Sequence, residues 1–371
     1  MLIGGMFDVD VEKALHKAEE REFPIRCDEN GNYKRKKMTN NGRTATTYAL
    51  ANGPKIPAGK KVLLPEYMCV SVVNSIEAEK IPFEVYKVKE GLEVDLEDLE
   101  RKMEELGDSA GAIYLIHYFG FPQPLQVAEK VKELSKKYHV PVIEDLTQSL
   151  LSRCSGRMGY GDYLVSSVRK WFPVTDGGIA AARNDVFWED VPLKDAYDEA
   201  VYTQMFLSLA RIWYGTKKNL EDRSYLDLEK TANSKRYFDF SPREMTGISK
   251  NILAQCDIEE AIGKRRANYS YLYKNLTGIE GLKIFGPKLD TGRDFVPFGF
   301  QVLVEDRDDF YQYLREKRII GEIQWILPTQ YYKPSEYAVY MSEHSLMLQC
   351  DQRYGIAEME YVVSVIKKYF G

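Results

Sequence analysis

From about residue 39 to 185, short apolar runs alternate with polar stretches in which apolar residues recur at helical spacing. The runs Val62–Pro65, Ile81–Val88, Ala112–Tyr118, Val140–Asp145, Tyr163–Val168 and Gly178–Arg183 predict strands. Between them, Pro124–Tyr138 places Leu125, Val127, Ala128, Val131 and Leu134 at the spacing of an amphipathic helix. Such alternation predicts an α/β fold with a largely parallel sheet covered by helices on both faces. The last two runs lie too close for a helical crossover and are expected to be joined by a loop along the sheet edge.

Beyond residue 190 the pattern changes. Residues 190–240 mix Tyr, Trp, Lys and Asp with polar stretches and predict helices and a long excursion, interrupted at 215–219. A long helix is expected from about Met245 through Cys256, Ala261 and Tyr273. Phe298–Val304 then reads as a strand, Asp308–Lys317 as a helix and Ala357–Tyr369 as a terminal amphipathic helix. The chain is long enough for two domains on the usual prior of roughly 100–200 residues each, and the expected division is a large domain over 1–244 and a smaller C-terminal α+β domain over 245–371.

The composition changes this picture little. The 371 residues are 44% hydrophobic, and 51 basic against 56 acidic residues give a net charge of -5. With no large basic block, nucleic acid and anionic membrane are not expected partners. The short cluster Tyr33-Lys34-Arg35-Lys36-Lys37 reads as a solvated stretch ahead of a loop. Cysteines at 27, 69, 154, 256 and 350 form no CxxC pair, and histidines at 16, 117, 139 and 344 form no HxxxH pair. This argues against a disulfide framework and a dedicated metal site. No apolar run approaches the roughly 18 residues of a membrane span, and no signal-peptide core is evident, so a cytoplasmic location is expected.

The candidate chemistry lies at strand ends. Asp145 closes one apolar run, and Lys170 follows the next, 25 residues later. In an open α/β sheet such tips hold the ligand. An amine and a carboxylate there suit pyridoxal phosphate, where the lysine forms an imine with the aldehyde and the carboxylate keeps the pyridine nitrogen protonated. Gln148, three residues past Asp145, can face the same cavity. Asn40-Asn41-Gly42-Arg43-Thr44-Ala45-Thr46 leads into a helix and suits an anion cradle, although the same residues equally make an ordinary N-cap. Tyr67 and Cys69, after the strand at 62–65, are candidates to lie against a flat ring or to pack in the core. His117-Tyr118-Phe119-Gly120 either opens space for a ligand or makes a turn before Pro122. Ser166, four residues before Lys170, offers a hydroxyl to a phosphate, and Asp176-Gly177-Gly178 returns the chain to a strand. The segments 324–328 and 350–354 are candidates either for the substrate side or for core and turns.

In order along the chain, Gly42-Arg43-Thr44-Ala45, Val62-Leu63-Leu64-Pro65-Glu66-Tyr67, Ile143-Glu144-Asp145-Leu146-Thr147-Gln148, Ser166 to Lys170, Asp176-Gly177-Gly178 and Met245-Thr246-Gly247-Ile248-Ser249 resemble the DegT/StrS sugar aminotransferases. These are pyridoxal-phosphate enzymes of fold type I. The resemblance implies that Lys170 bears the cofactor, Asp145 meets its ring nitrogen and Gln148 faces its hydroxyl side. It further implies that Gly42, Arg43, Thr44 and Ser166 hold the phosphate, and that either Tyr67 or Cys69 lies on the ring. Gly42-Arg43 stands where the family usually has Gly-Thr. Also implied are an amino-acid donor, a keto-sugar acceptor, nucleotide-linked in the family's manner, and a homodimer with shared active sites to which the 215–219 loop contributes. Two alternatives stand beside transamination: another pyridoxal-phosphate reaction on a sugar or amino substrate, and a non-catalytic cofactor-binding regulator. Family dehydratases carry histidine in place of the lysine, so Lys170 favours transamination. A nicotinamide enzyme is disfavoured because no GxGxxG follows an early strand.

Overall fold

The computed structural model describes residues 2–5, 7–19, 21–153, 156–196, 198–216, 240–289 and 295–371. Its main sheet has seven strands: β1 (Arg35–Thr39), β2 (Lys61–Pro65), β3 (Phe83–Tyr86), β4 (Ala110–Ile116), β5 (Val142–Asp145), β6 (Tyr163–Ser167) and β7 (Gly178–Ala182). They lie in the order β3-β2-β4-β5-β6-β7-β1. The pairs from β3 to β6 are parallel, and β7 runs antiparallel to both neighbours. As expected from the short interval, a single-turn 3-10 helix at Val168–Lys170 and a loop join β6 to β7.

Helices cover both faces. They are α1 (Gly42–Asn52), α2 (Val70–Ala78), α3 (Leu96–Leu106) and α4 (Leu125–Tyr138). Strand alternation sorts the core between them. Val62, Leu64, Ala112 and Tyr114 pack with Ala45 and Tyr48 of α1 and Val72 and Val73 of α2. Leu63, Ile113, Leu115 and Val142 pack with Leu99 and Met103 of α3 and Val127, Val131 and Leu134 of α4. All seven residues of β4 are buried, as a central parallel strand requires. The basic cluster ahead of α1 is not a free stretch but the edge strand β1. Lys36 pairs with Glu22 at 2.6 Å and Lys37 with Asp190 at 2.5 Å, and such charges discourage edge-to-edge pairing.

Helix α5 (Asp198–Thr216) lies in the region of the expected excursion, and the rest of the 215–219 loop falls outside the described residues. The single helix expected from Met245 is instead two, α6 (Gly247–Ala254) and α7 (Ile258–Leu276). Asp257 starts the second helix by accepting from the Glu260 amide at 2.9 Å, a cap that ends one helix and begins another. Further helices are α8 (Arg307–Glu316), α9 (Glu336–His344) and α10 (Ile356–Phe370). Antiparallel strands β8 (Lys283–Phe285), β9 (Phe300–Leu303) and β10 (Ser345–Leu348) form a smaller sheet. Its Phe300, Val302, Leu346 and Leu348 pack on Leu272 of α7, Phe310 of α8 and Ile366 of α10. Ile3–Gly4 pairs with Ile319–Ile320, so the N-terminal arm reaches this C-terminal layer.

Arg353 pins that arm, donating to Gly5 O at 2.8 Å and to both oxygens of Asp351 at 2.8 and 2.9 Å. Burial by itself would raise the Asp351 pKa, but Arg353 holds it below its ordinary value of 3.8. A depressed carboxyl pKa contributes stability that is present above the ordinary value and lost as pH falls through the folded one. The urea midpoint is therefore expected to fall as pH drops below about 4. In Asp351→Asn that acid dependence should shrink, at a cost of about 3 kcal/mol at neutral pH for the unpaired guanidinium. Urea melts of both proteins at several pH values check this, and an identical acid dependence would refute it.

Candidate active site

The carboxyl ends of β4, β5 and β6 and the start of α1 surround a cleft with about 700 Å³ of space including its open mouth. It lies where an open parallel sheet places its ligands. Adjacent strands β5 and β6 bring the Asp145 tip and the turn carrying Lys170 side by side, with Asp145 in register with Val165. Both side chains line the cleft.

Asp145 is 7% exposed and held at both oxygens. The Tyr114 hydroxyl donates to Oδ2 at 2.8 Å and the Thr147 amide to Oδ1 at 2.8 Å. Burial, and then the neighbouring Asp145 carboxylate, push the Tyr114 phenol well above its ordinary 10.0, so it stays a donor. Lys170 ends the 3-10 turn after β6, and among the described residues its ammonium has no hydrogen-bonding or ionic partner. A partnerless amine and an oriented carboxylate thus line one cleft.

On the opposite wall α1 begins. Its N-cap Asn41 accepts from the Thr44 amide at 3.1 Å, and Thr44 Oγ1 accepts from the Asn41 amide at 3.2 Å. Among the described residues the first-turn amide of Gly42 has no protein partner. Arg43, Ser167 and Arg169 also line this end, adding cations and a hydroxyl to the positive end of the helix. Gly42 is needed for close approach, since a Cβ there would lie 3.0 Å from that of Ser167.

Of the residues expected at the site, Gly42, Arg43, Cys69, Asp145, Gln148 and Lys170 line the cleft, while Thr44, Tyr67 and Ser166 do not. Thr44 is fully buried and spends its hydroxyl on Asn40 Oδ1 at 2.6 Å and Asn41 O. Ser166 Oγ donates to Leu146 O at 3.2 Å, and its neighbour Ser167 faces the cleft instead. Tyr67 is fully buried, with its hydroxyl donating to Gln324 O and its ring packed on Trp325 at 5.6 Å. Cys69, at the start of α2, reaches the cleft.

Asn41, Thr46 and Arg169, expected near the phosphate, also line the cleft, whereas Thr147 and Ser167 are cleft residues that the sequence did not single out, each one position from a candidate. Trp325 is different. Among the described residues it is the one aromatic ring in the lining, and it comes from the C-terminal layer, stacked over Phe119 at 6.5 Å and 25°. Only its place in the 324–328 segment hinted at this. Gln148 bridges to the same layer, accepting from the Phe119 amide at 3.1 Å and donating to Gln324 Oε1.

His117 and Gly120 open no ligand space. His117 is buried, with Nε2 3.0 Å from Glu144 and Nδ1 accepting from the Gln123 amide. Gly120 adopts φ +98°, and a Cβ on it would lie 2.1 Å from Val296 O. The turn reading is the correct one. The glycine pair after Lys170 works similarly. A Cβ on Gly178 would come within 2.2 Å of Asn41 O, and the Gly177 amide donates to Asn40 O at 2.8 Å. Asp176 ties this loop to α6 by accepting from the Thr246 amide at 3.0 Å and its hydroxyl at 2.9 Å. Two motifs some 70 residues apart are thus one structural joint.

Among the described residues no helix is long and apolar enough to cross a membrane, and no group of three or more His, Cys, Asp or Glu could hold a metal. Cys27, Cys69, Cys256 and Cys350 are free thiols, and Cys154 lies outside the described residues.

Residues 30–209 match the model of the DegT/DnrJ/EryC1/StrS aminotransferase family. No curated protein matches the chain in sequence. Among solved structures, the Helicobacter pylori aminotransferase PseC, involved in the biosynthesis of pseudoaminic acid, superposes with a TM-score of 0.70 at 13% identity, covering 100% of this chain and 99% of that one. The sugar aminotransferase CalS13 from Micromonospora echinospora gives 0.67 at 18% identity over 99% of both chains. A DegT DnrJ EryC1 StrS aminotransferase from Brucella abortus gives 0.66 at 15% identity, covering 93% of this chain and 88% of that one. At these identities the likeness is one of fold, and the fold is that of the type I pyridoxal-phosphate aminotransferases. Residues 30–209 thus carry the sequence pattern of the DegT/DnrJ/EryC1/StrS aminotransferase family, and the fold shared with these structures extends over nearly the whole chain.

Proposed function

We propose that this protein is a pyridoxal-phosphate-dependent aminotransferase that moves an amino group from an amino-acid donor to a keto sugar. The observation that carries the proposal is one cleft holding an amine without a partner, a doubly oriented carboxylate and a helix N-terminus flanked by two arginines. That donor set fits the cofactor's three demands: a primary amine for its aldehyde, an anion for its ring nitrogen and an anion cradle for its phosphate. When bound, the cofactor supplies an electron sink for the negative charge left as a proton departs from carbon.

Within this reading the residues act as follows. Asp145, oriented by two donors, would hold a proton at the ring nitrogen. Lys170 would hold the cofactor's aldehyde and, from that position, would move the proton at the reacting carbon. Gly42, Arg43, Ser167 and Arg169 bind the phosphate. Gln148 has a second Nε2 hydrogen for the ring oxygen, the first going to Gln324. Cys69 and Trp325 bound the ring and exclude water. The sugar class of the acceptor is supported by the family match and by the description of CalS13 as a sugar aminotransferase.

The reading also includes a division of the chain near residue 245, a cytoplasmic location and a homodimer that shares its active sites. The dimer is supported by an outward stripe on α5, where Tyr202, Phe206 and Leu209 are 52%, 64% and 45% exposed.

Incubating the cofactor-loaded protein with glutamate tests the catalytic half of this reading. The visible band is expected to bleach with release of 2-oxoglutarate, and a keto sugar is expected to restore it. A band that survives glutamate and other amino-acid donors alike would leave a binding protein rather than an enzyme.

A further inference from the structure

Arg265 and the turn at 350–354 take no part in lining the cleft, yet both converge on the residue that follows Lys170. Arg265, in the middle of α7, is 1% exposed. Its Nη1 donates to Pro297 O at 3.1 Å and Phe298 O at 2.9 Å, and its Nε to Gln352 Oε1 at 2.7 Å. Its guanidinium carbon sits 4.5 Å from the centre of the Trp171 ring. Gln352 uses its other end on the same residue, donating from Nε2 to Trp171 O at 2.5 Å.

Trp171 is fully buried and closes the 3-10 turn that bears Lys170. Its indole Nε1 donates to Thr147 O at 2.9 Å, two residues past Asp145 and in the cleft wall. One side chain therefore ties the lysine's turn to the carboxylate's turn, with Arg265 over its ring and Gln352 on its backbone carbonyl. Taking a guanidinium out of water is costly unless its donors are met, and an aliphatic residue would pack a tryptophan as well. A planar cation stacked on the ring and locked by an amide instead fixes the ring's orientation.

We propose that Arg265 and Gln352 are positioning residues for Lys170, acting through Trp171 to set the amine at a fixed distance from Asp145. The proposal rests on the reading of Lys170 as the cofactor-bearing amine. By this arrangement the C-terminal layer reaches the chemistry from two sides: Trp325 bounds the cleft, and the Arg265–Gln352 pair holds the lysine's backbone.

The test uses the full-length protein loaded with pyridoxal phosphate. Gln352→Met removes both hydrogen bonds, whereas Gln352→Glu keeps an acceptor for Arg265 and loses only the donor to Trp171 O. Three readouts are compared with the wild type: borohydride fixation of the cofactor, the pH midpoint of its visible band, and its rate of loss to a trapping agent. Both variants are expected to fix cofactor. Their midpoints should move by roughly half a pH unit or more, and the cofactor should leave roughly fivefold faster or more. A purely structural role would lower the melting temperature and leave the midpoint in place, and that outcome overturns the proposal. If either variant fails to fold, Trp171→Phe, which keeps a ring and loses the bond to Thr147 O, is expected to move the midpoint in the same way; an unmoved midpoint again overturns it. Failure of the wild type itself to fix cofactor would instead overturn the reading of Lys170, and this one with it.

Discussion

Lys170→Ala is expected to abolish borohydride-stable attachment of pyridoxal phosphate and to lower turnover by at least about 10³-fold. Lys170 lies at the surface of the cleft and has no structural partner among the described residues, so the substitution removes no hydrogen bond or ion pair from the fold. The melting temperature should stay within a degree or two of the wild type apart from the cofactor's own contribution, which mass action supplies to any ligand-bound protein. Mass spectrometry after reduction reads the attachment directly. A labelled peptide in the variant, or turnover within tenfold of the wild type, would assign the chemistry to another amine.

The second large effect is expected at Asp145. Asp145→Asn keeps the shape and keeps an oxygen for the Tyr114 hydroxyl, which stands 2.8 Å away, but it removes the charge. Without an anion the ring nitrogen loses the proton that makes the ring an effective electron sink. Turnover should then fall about 10²–10³-fold, the usual consequence of deleting a preorganised electrostatic partner. Attachment at Lys170 should persist, so borohydride would still label the variant. That combination separates Asp145 from Lys170: one variant keeps the cofactor and loses the chemistry, the other loses both. Rapid-mixing measurements of the glutamate half-reaction would show the step that slows. A rate within about threefold of the wild type would remove Asp145 from the ring nitrogen.

Both sites were legible as strand tips because parallel strands are buried on both faces and therefore appear as unbroken apolar runs. In such a sheet polar residues concentrate where the runs end. That logic located Asp145, Lys170 and the Gly42 helix start to within a residue. It did less well at β1, where an edge strand carrying three basic residues looks like a solvated stretch because only one side of it is paired. It also merged α6 and α7, although Asp257 followed by Glu259 and Glu260 was a readable helix start.

Facing and distant contributions were a different matter. Ser166 and Ser167 are chemically the same, and the pleat alone decides which of them meets the cleft. Tyr67 and Cys69 are two residues apart, and packing against Trp325 draws the larger ring into the interior while the thiol at the helix start remains at the cavity. Trp325 itself stands 155 residues beyond Lys170 in the chain, and Gly178 is a glycine because of Asn41, far before it.

The chain's own pattern thus determined the α/β class, most strands of the main sheet and the strand ends at which an amine and a carboxylate line the cleft. Those follow from local periodicity and from the cost of burying polar groups. Tertiary structure decided which neighbour faces the cavity, which aromatic bounds it and what holds the lysine in place. Those depend on strand register and on contacts between segments remote in sequence, where the energy resides in close packing that no local pattern encodes.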